Sequence, residues 1–210
     1  MSGAVRLQGQ ASLFASGVPL AFDTTFGRAV RTSLDASSWV EWVPGWLSGS
    51  EELLRQLARG VPWQQHHRHL FRERFLEPRL TAEYRDLRDM PHPPLVEAAA
   101  VLSAHYRTTY DSVWLNLYRD GRDSTGWHRD RFSCRRPECI VPVLTLGATR
   151  RFLIKPRRGG ASLGFSPRSG DLIVMGGRCQ QDWLHGVPKV SGPCGPRISV
   201  NFQSSAQARR

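Results

Sequence analysis

No stretch of this 210-residue chain approaches the roughly 20 consecutive apolar residues of a membrane helix, so no such span is expected. It lacks an opening basic segment followed by an apolar one, so no secretory leader is expected either. Four cysteines are too few for a disulfide scaffold. Cys134 and Cys139 stand at a C-x4-C spacing loosely like a zinc site, but no second pair matches them, and reduced thiols are the expectation. A soluble, cytoplasmic monomer is the expectation, nucleoid-associated if its target is DNA. Lysine is nearly missing: 27 of the 29 cationic residues are arginine, set against 18 acids. The net charge of +11 favours a polyanionic partner, DNA or RNA, because each cation that neutralises a phosphate releases counterions. Arginine richness from genome composition is the blander explanation.

What is present suits one folded domain, with 40% apolar and 10% aromatic residues. Residues 1–62 read as a loosely packed arm, with one strand around Pro19–Phe22, followed by a supporting helix. Ser48-Gly-Ser-Glu51 has the form of a capping box, opening a helix with Leu53, Leu54, Leu57 and Ala58 on one face. Trp39, Trp42 and Trp46 read as core-sealing aromatics. Residues 63–108 read as a lid and a buttressing helix. In the lid His66, His67 and His69 and several arginines are interleaved with Trp63, Phe71, Phe75 and Tyr84, a mixture that suits phosphates and unstacked bases. Met90-Pro-His-Pro-Pro94 then sets a rigid turn into a helix with Leu95, Ala98, Ala99, Leu102 and Tyr106 on one face.

From Ser112 the pattern changes to short strands: Ser112–Tyr118, Cys139–Leu146, Arg151–Lys155, Ala161–Phe165, Asp171–Met175, Trp183–Val187 and Arg197–Phe202. The expected class is mainly β with flanking helices (α+β), with a sandwich or jelly-roll core over 109–205.

His128-x-Asp130 places an imidazole and a carboxylate on one side of an extended backbone. His185 is a candidate third ligand. Two histidines and one carboxylate leave three positions open on an octahedral metal, the arrangement of non-heme Fe(II) oxygenases. Nearby, Trp114, Asn116 and Tyr118 share one strand face, and Arg197, Ser199 and Asn201 share another. A cationic inner face on an otherwise apolar strand needs a counter-charge. A dicarboxylate that chelates the metal at one end and meets Arg197 at the other supplies it.

The run Asn116-x-Tyr118, His128-x-Asp130, Leu146-Gly-Ala-Thr-Arg150, Gly170-Asp-Leu-Ile-Val-Met175, Asp182-Trp-x-His185 and Pro196-Arg-Ile-Ser-Val-Asn-Phe202 resembles the AlkB family of Fe(II)/2-oxoglutarate dioxygenases. Pro78-Arg-Leu-Thr-Ala-x-Tyr84 resembles that family's nucleotide-recognition lid. The likeness implies a double-stranded β-helix (jelly roll) with an N-terminal extension and lid. It implies that His128, Asp130 and His185 hold catalytic Fe(II), and that Asn116, Tyr118, Arg197, Ser199, Asn201 and Gln203 surround 2-oxoglutarate, with O2 as the other cosubstrate. It also implies that Arg79, Arg131 and Arg150 meet substrate, and that Tyr84 or His92 stacks on a flipped base. The implied reaction is oxidative dealkylation of N-alkylated bases in DNA or RNA, single-stranded or with the base flipped out, with succinate formed from 2-oxoglutarate. Two departures stand out. Arg131 and Phe132 follow Asp130 where the family carries an acid, and Gln203 stands where it carries a second arginine. A protein or small-molecule oxygenase, and a catalytically weak nucleic-acid-binding jelly roll, stay open as alternatives.

Overall fold

The computed structural model describes residues 17–70, 73–130 and 134–208. Its first strands are β1 (Ala21–Phe22), β2 (Val30–Ser33), β3 (Ser38–Val43) and β4 (Leu47–Ser48), followed by helix α1 (Ser50–Gly60). A hairpin, β5 (His67–Leu70) and β6 (Glu73–Leu76), precedes β7 (Leu80–Tyr84) and helix α2 (Pro93–Tyr106). Next come β8 (Ser112–Tyr118), β9 (Thr125–His128), β10 (Val141–Gly147), β11 (Phe152–Pro156), β12 (Leu163–Phe165) and β13 (Leu172–Gly177). The short helix α3 (Cys179–Asp182) leads into β14 (Trp183–Val187), then β15 (Arg197–Gln203) and α4 (Ser205–Ala208). No helix among these is long and apolar enough to cross a membrane.

Two antiparallel sheets carry the fold. The larger runs β2-β3-β13-β10-β15-β8-β7 and the smaller β12-β11-β14-β9. Alternation explains how each face is used. Ile198, Val200 and Phe202 of β15 and Val113, Leu115 and Leu117 of β8 are wholly buried against the apolar faces of α1 and α2. Burying each such side chain contributes about 2 kcal/mol. The intervening residues point between the sheets, where Val143, Phe152, Ile154, Ile173 and Met175 form a second core.

Several expectations change. The segments read as arm and lid donate strands to the large sheet: β2 and β3 at one edge, β7 at the other. Boundaries at 62 and 108 therefore cut through a single sheet. The signal was hidden because β3 is covered on both sides, so period-two alternation is lost. Trp39 lies so close over Gly176 that a Cβ there would meet the indole at 2.0 Å. The capping box does not form: the N-cap of α1 is Gly49, in a left-handed conformation, and no side chain caps it. Ser48 instead donates its hydroxyl to the Pro19 carbonyl at 2.9 Å, tying down β1. Cys134 and Cys139 are joined in a disulfide rather than standing as thiols or zinc ligands. Only Cys179 and Cys194 are free.

Candidate metal centre and its cationic wall

The small sheet builds the cluster. In β9 and β14, His128 and His185 are direct cross-strand partners, so residues far apart in sequence come within one pair spacing. A register irregularity follows at Gly186, where the Thr125 carbonyl comes within 2.9 Å of where a Cβ would sit. Past the end of β9 the chain turns Asp130 between both rings. His128 Nε2 lies 3.5 Å from Asp130 Oδ1, and His185 Nε2 lies 3.5 Å from Oδ2. One ligand atom from each of the three falls within 4.8 Å of the others. This donor set can hold a divalent transition metal.

Neighbouring groups fix these orientations. His128 Nδ1 is 2.9 Å from the Gly126 carbonyl, which makes Nδ1 the protonated nitrogen and leaves Nε2 its lone pair. The Asp130 amide donates to Gln180 Oε1 at 2.8 Å. Phe152 stacks beside His185, centroids 5.5 Å apart. Burial raises the Asp130 carboxyl, but the adjacent imidazoles outweigh it and hold the group well below the usual range. His185 is pushed down by burial. Burial also depresses His128, yet the bond to Asp130 leaves it raised overall.

The large sheet builds the opposing wall. Arg197 pairs with Tyr118, Ser199 with Asn116 and Asn201 with Trp114 across β15 and β8, so all six face the same way. Arg197 is 1% exposed. Its Nη2 donates to Thr145 Oγ1 at 3.1 Å, while Nε and Nη1 have no partner. Burial pulls its pKa below the usual arginine value, despite Tyr118 beside it. Asn201 Oδ1 is also buried without a partner. Asn116 donates to Ser199 Oγ at 3.1 Å and accepts from Trp114 Nε1 at 3.1 Å and Arg79 Nε at 2.9 Å. The Tyr118 hydroxyl meets Thr125 Oγ1 at 2.7 Å and so links the two sheets. Between the sheets lies a cavity of about 570 Å³ that reaches the metal cluster, Arg197, Asn201 and Gln203. Such an unpaired buried cation suits an anion, which fits a diacid cosubstrate as the donor set fits a metal.

The expected substrate residues divide. Arg79 lines the cavity, 3.4 Å from Glu77. Tyr84 does not: Glu83 faces the cavity, so by alternation Tyr84 turns back and packs against the core. His92 is the N-cap of α2 and lies against Gly60, outside the cavity lining. Arg150 is 2% exposed and donates to the carbonyls of Asp120, Asp123 and Pro188, so it ties loops together and lies outside the cavity lining. Arg131 lies outside the described residues. Sequence reasoning missed Thr145, Thr125, Gln180 and Phe152. A signal existed for Thr145, the one polar side chain in the run Val141-Pro-Val-Leu-Thr-Leu146. Gln180 carried none.

The model of the 2OG-Fe(II) oxygenase superfamily matches residues 77–203, more than half of the chain. Alpha-ketoglutarate-dependent dioxygenase alkB homolog 3 of Mus musculus is 31% identical over 180 residues, covering 75% of this chain and 62% of that protein. The Homo sapiens homolog 3 is 31% identical over 185 residues, covering 77% and 64%. DNA oxidative demethylase ALKBH2 of Arabidopsis thaliana is 27% identical over 138 residues, covering 53% and 43%. The chain thus spans less than two thirds of the length of the curated relatives it matches. Among solved structures, OsALKBH1 superposes with a TM-score of 0.53 at 12% identity, over 83% of this chain and 100% of that one, a likeness of fold.

Proposed function

Because the chain belongs to the 2OG-Fe(II) oxygenase superfamily and is AlkB-like, we propose that it oxidatively removes N-alkyl groups from bases of DNA or RNA while 2-oxoglutarate is converted to succinate. One observation carries the reading: a sealed guanidinium with two unpartnered nitrogens faces the same cavity as a His–Asp–His cluster. A diacid that chelates a metal at one end and pairs with Arg197 at the other satisfies both.

In this reading His128 Nε2, His185 Nε2 and an Asp130 oxygen are the iron ligands. Bound iron supplies the redox chemistry, coupling O2 and the keto acid to oxidation of an alkyl C–H bond. Arg197, anchored by Thr145, holds the distal carboxylate, with Asn201 and Gln203 completing that end of the cavity. Asn116 and Tyr118 border the chelating end. Asn116 is oriented by Arg79, Trp114 and Ser199, and Tyr118 by Thr125. An N-hydroxymethyl product then loses formaldehyde without further help, since the nitrogen lone pair recovers as the bond breaks.

The net charge of +11 and the nucleic-acid demethylase among the relatives support a polynucleotide substrate. Glu77 and Glu83 on the cavity lining favour keeping a cationic protein or small-molecule substrate as the second reading. Succinate release dependent on added methylated oligonucleotide is the expected result. Turnover indifferent to the oligonucleotide selects the second reading, and no succinate under any condition refutes both.

A further inference from the structure

The outer face of the small sheet has no role in the site described above. Strand β9 carries a register shift between Thr125 and His128, both of which line the cavity, while Trp127 lies outside that lining, against Lys155, and is 42% exposed. Lys155 of β11 places Nζ 4.3 Å from the indole centre. Its cross-strand partner Leu184 lies on the same face, as does Leu153, which pairs with Gly164 and Gly186. The exposed Arg151 lays its guanidinium over Gly164, where a Cβ would meet Nη2 at 2.8 Å. None of the four strands contains an aspartate or glutamate. The face carries Lys155, one large aromatic and two leucines, with Arg151 beside it, while α1 and α2 cover the other sheet. Strand β9 is the sheet's edge, so a polymer leaving the cavity past His128 crosses it directly onto Trp127.

We infer that this face binds the single nucleic-acid strand flanking the base held in the cavity, with a neighbouring base stacked on Trp127 and phosphates met by Lys155 and Arg151. The inference rests on the polynucleotide reading of the substrate. Charge complementarity selects the occupant: a polyanion suits a face of cations without acids, and an exposed indole is a stacking platform for any base. Lys155 covers the ring in the free protein. Stacking of a base is worth more than an exposed ammonium-over-indole contact, so the base displaces Lys155, whose flexible stem then reaches phosphate.

Equilibrium binding of labelled single strands to the full chain tests this, using a short strand of about 5 nucleotides and a long one of about 15, each with one N-methylated base. The wild-type chain should bind the long strand more tightly than the short one. Trp127→Ala should weaken the long-strand Kd about tenfold and remove most of the length dependence. Trp127→Phe, which keeps a stacking ring, should stay within about threefold of wild type. Lys155→Ala should lower the slope of log K against log salt by about one. Equal long-strand affinity in the wild type and Trp127→Ala overturns the inference, as does failure of the wild-type chain to bind the long strand. Trp127-dependent binding in a protein that forms no succinate with any methylated strand upholds the surface and removes the dealkylase reading. Methyl-dependent succinate with affinity indifferent to Trp127 does the reverse.

Discussion

Two regions of this molecule seal an arginine from water, and they treat it in opposite ways. At the loop end, Arg150 threads between the β8–β9 turn and the segment after β14, where three carbonyls take up both of its terminal nitrogens. In the cavity wall, Arg197 is as deeply buried but finds one hydroxyl, with Nε and Nη1 unpartnered. Carbonyls supplied by the chain take up both ends of the first guanidinium and leave only Nε without a partner, so that region is structural. The second region is incomplete until something anionic arrives. A buried charge is costly alone and tolerable when paired, so the unmade bonds mark where a ligand is required.

The comparison can be broken from several sides. The largest effect belongs to Asp130, which touches both imidazoles. Asp130→Ala should reduce metal loading and turnover by more than about 100-fold with far-UV circular dichroism unchanged, as metal analysis and succinate assay would show. Acid removes the same contacts. Because the folded-state pKa of Asp130 is depressed, its contribution to stability is complete above the unfolded value of 3.8 and is lost as pH falls below it. His128 is raised and His185 lowered, so these two oppose one another nearer neutrality, and Asp130 is the mostly buried carboxylate on the acid limb, alongside the more exposed and likewise depressed Asp86 and Asp120. Urea melts of the metal-free protein should steepen in acid sensitivity below about pH 4, and Asp130→Asn should flatten that limb.

Arg150→Ala is next. Leaving three carbonyls unpaired should lower the unfolding free energy by about 3 kcal/mol, with little change in the 2-oxoglutarate requirement. Arg197→Ala should show the mirror image. It should raise the KM for 2-oxoglutarate about 100-fold, and the ligand-free protein should be no less stable, since an uncompensated buried charge is gone. If both variants behaved alike, the distinction between the two regions would be wrong. Smallest is the Cys134–Cys139 bridge. It closes a short loop, so replacing both cysteines with serine should cost about 2 kcal/mol by chemical denaturation.

Strands β8, β14 and β15 were legible because each has one apolar and one polar or shared face, and their limits match expectation to within a residue. The metal cluster was legible for a different reason. His128 and Asp130 are close in sequence and do meet, although Asp130 lies past the end of β9 and a turn, not extended spacing, brings it there. Strands β2 and β3 were not legible, because buried Glu41 is paired with the Tyr106 hydroxyl at 2.7 Å and so reads as polar from sequence while lying in the interior. Tyr84 and His92 were plausible base-stacking partners only while strand facing was unknown. Once Glu83 faced the cavity, alternation turned Tyr84 away.

Local periodicity and residue chemistry were enough to identify which side chains share a face, the Asn116–Tyr118 pair and the Arg197 row, and to mark His128 and Asp130 as donors close in sequence. Such patterns depend only on neighbours along the chain. Whether a buried arginine is sated or left wanting, and which strands put His185 beside His128, depend on groups brought from distant segments. Only the packing of the two sheets decides those questions, because a hydrogen bond forms between atoms in space, whatever their order in sequence.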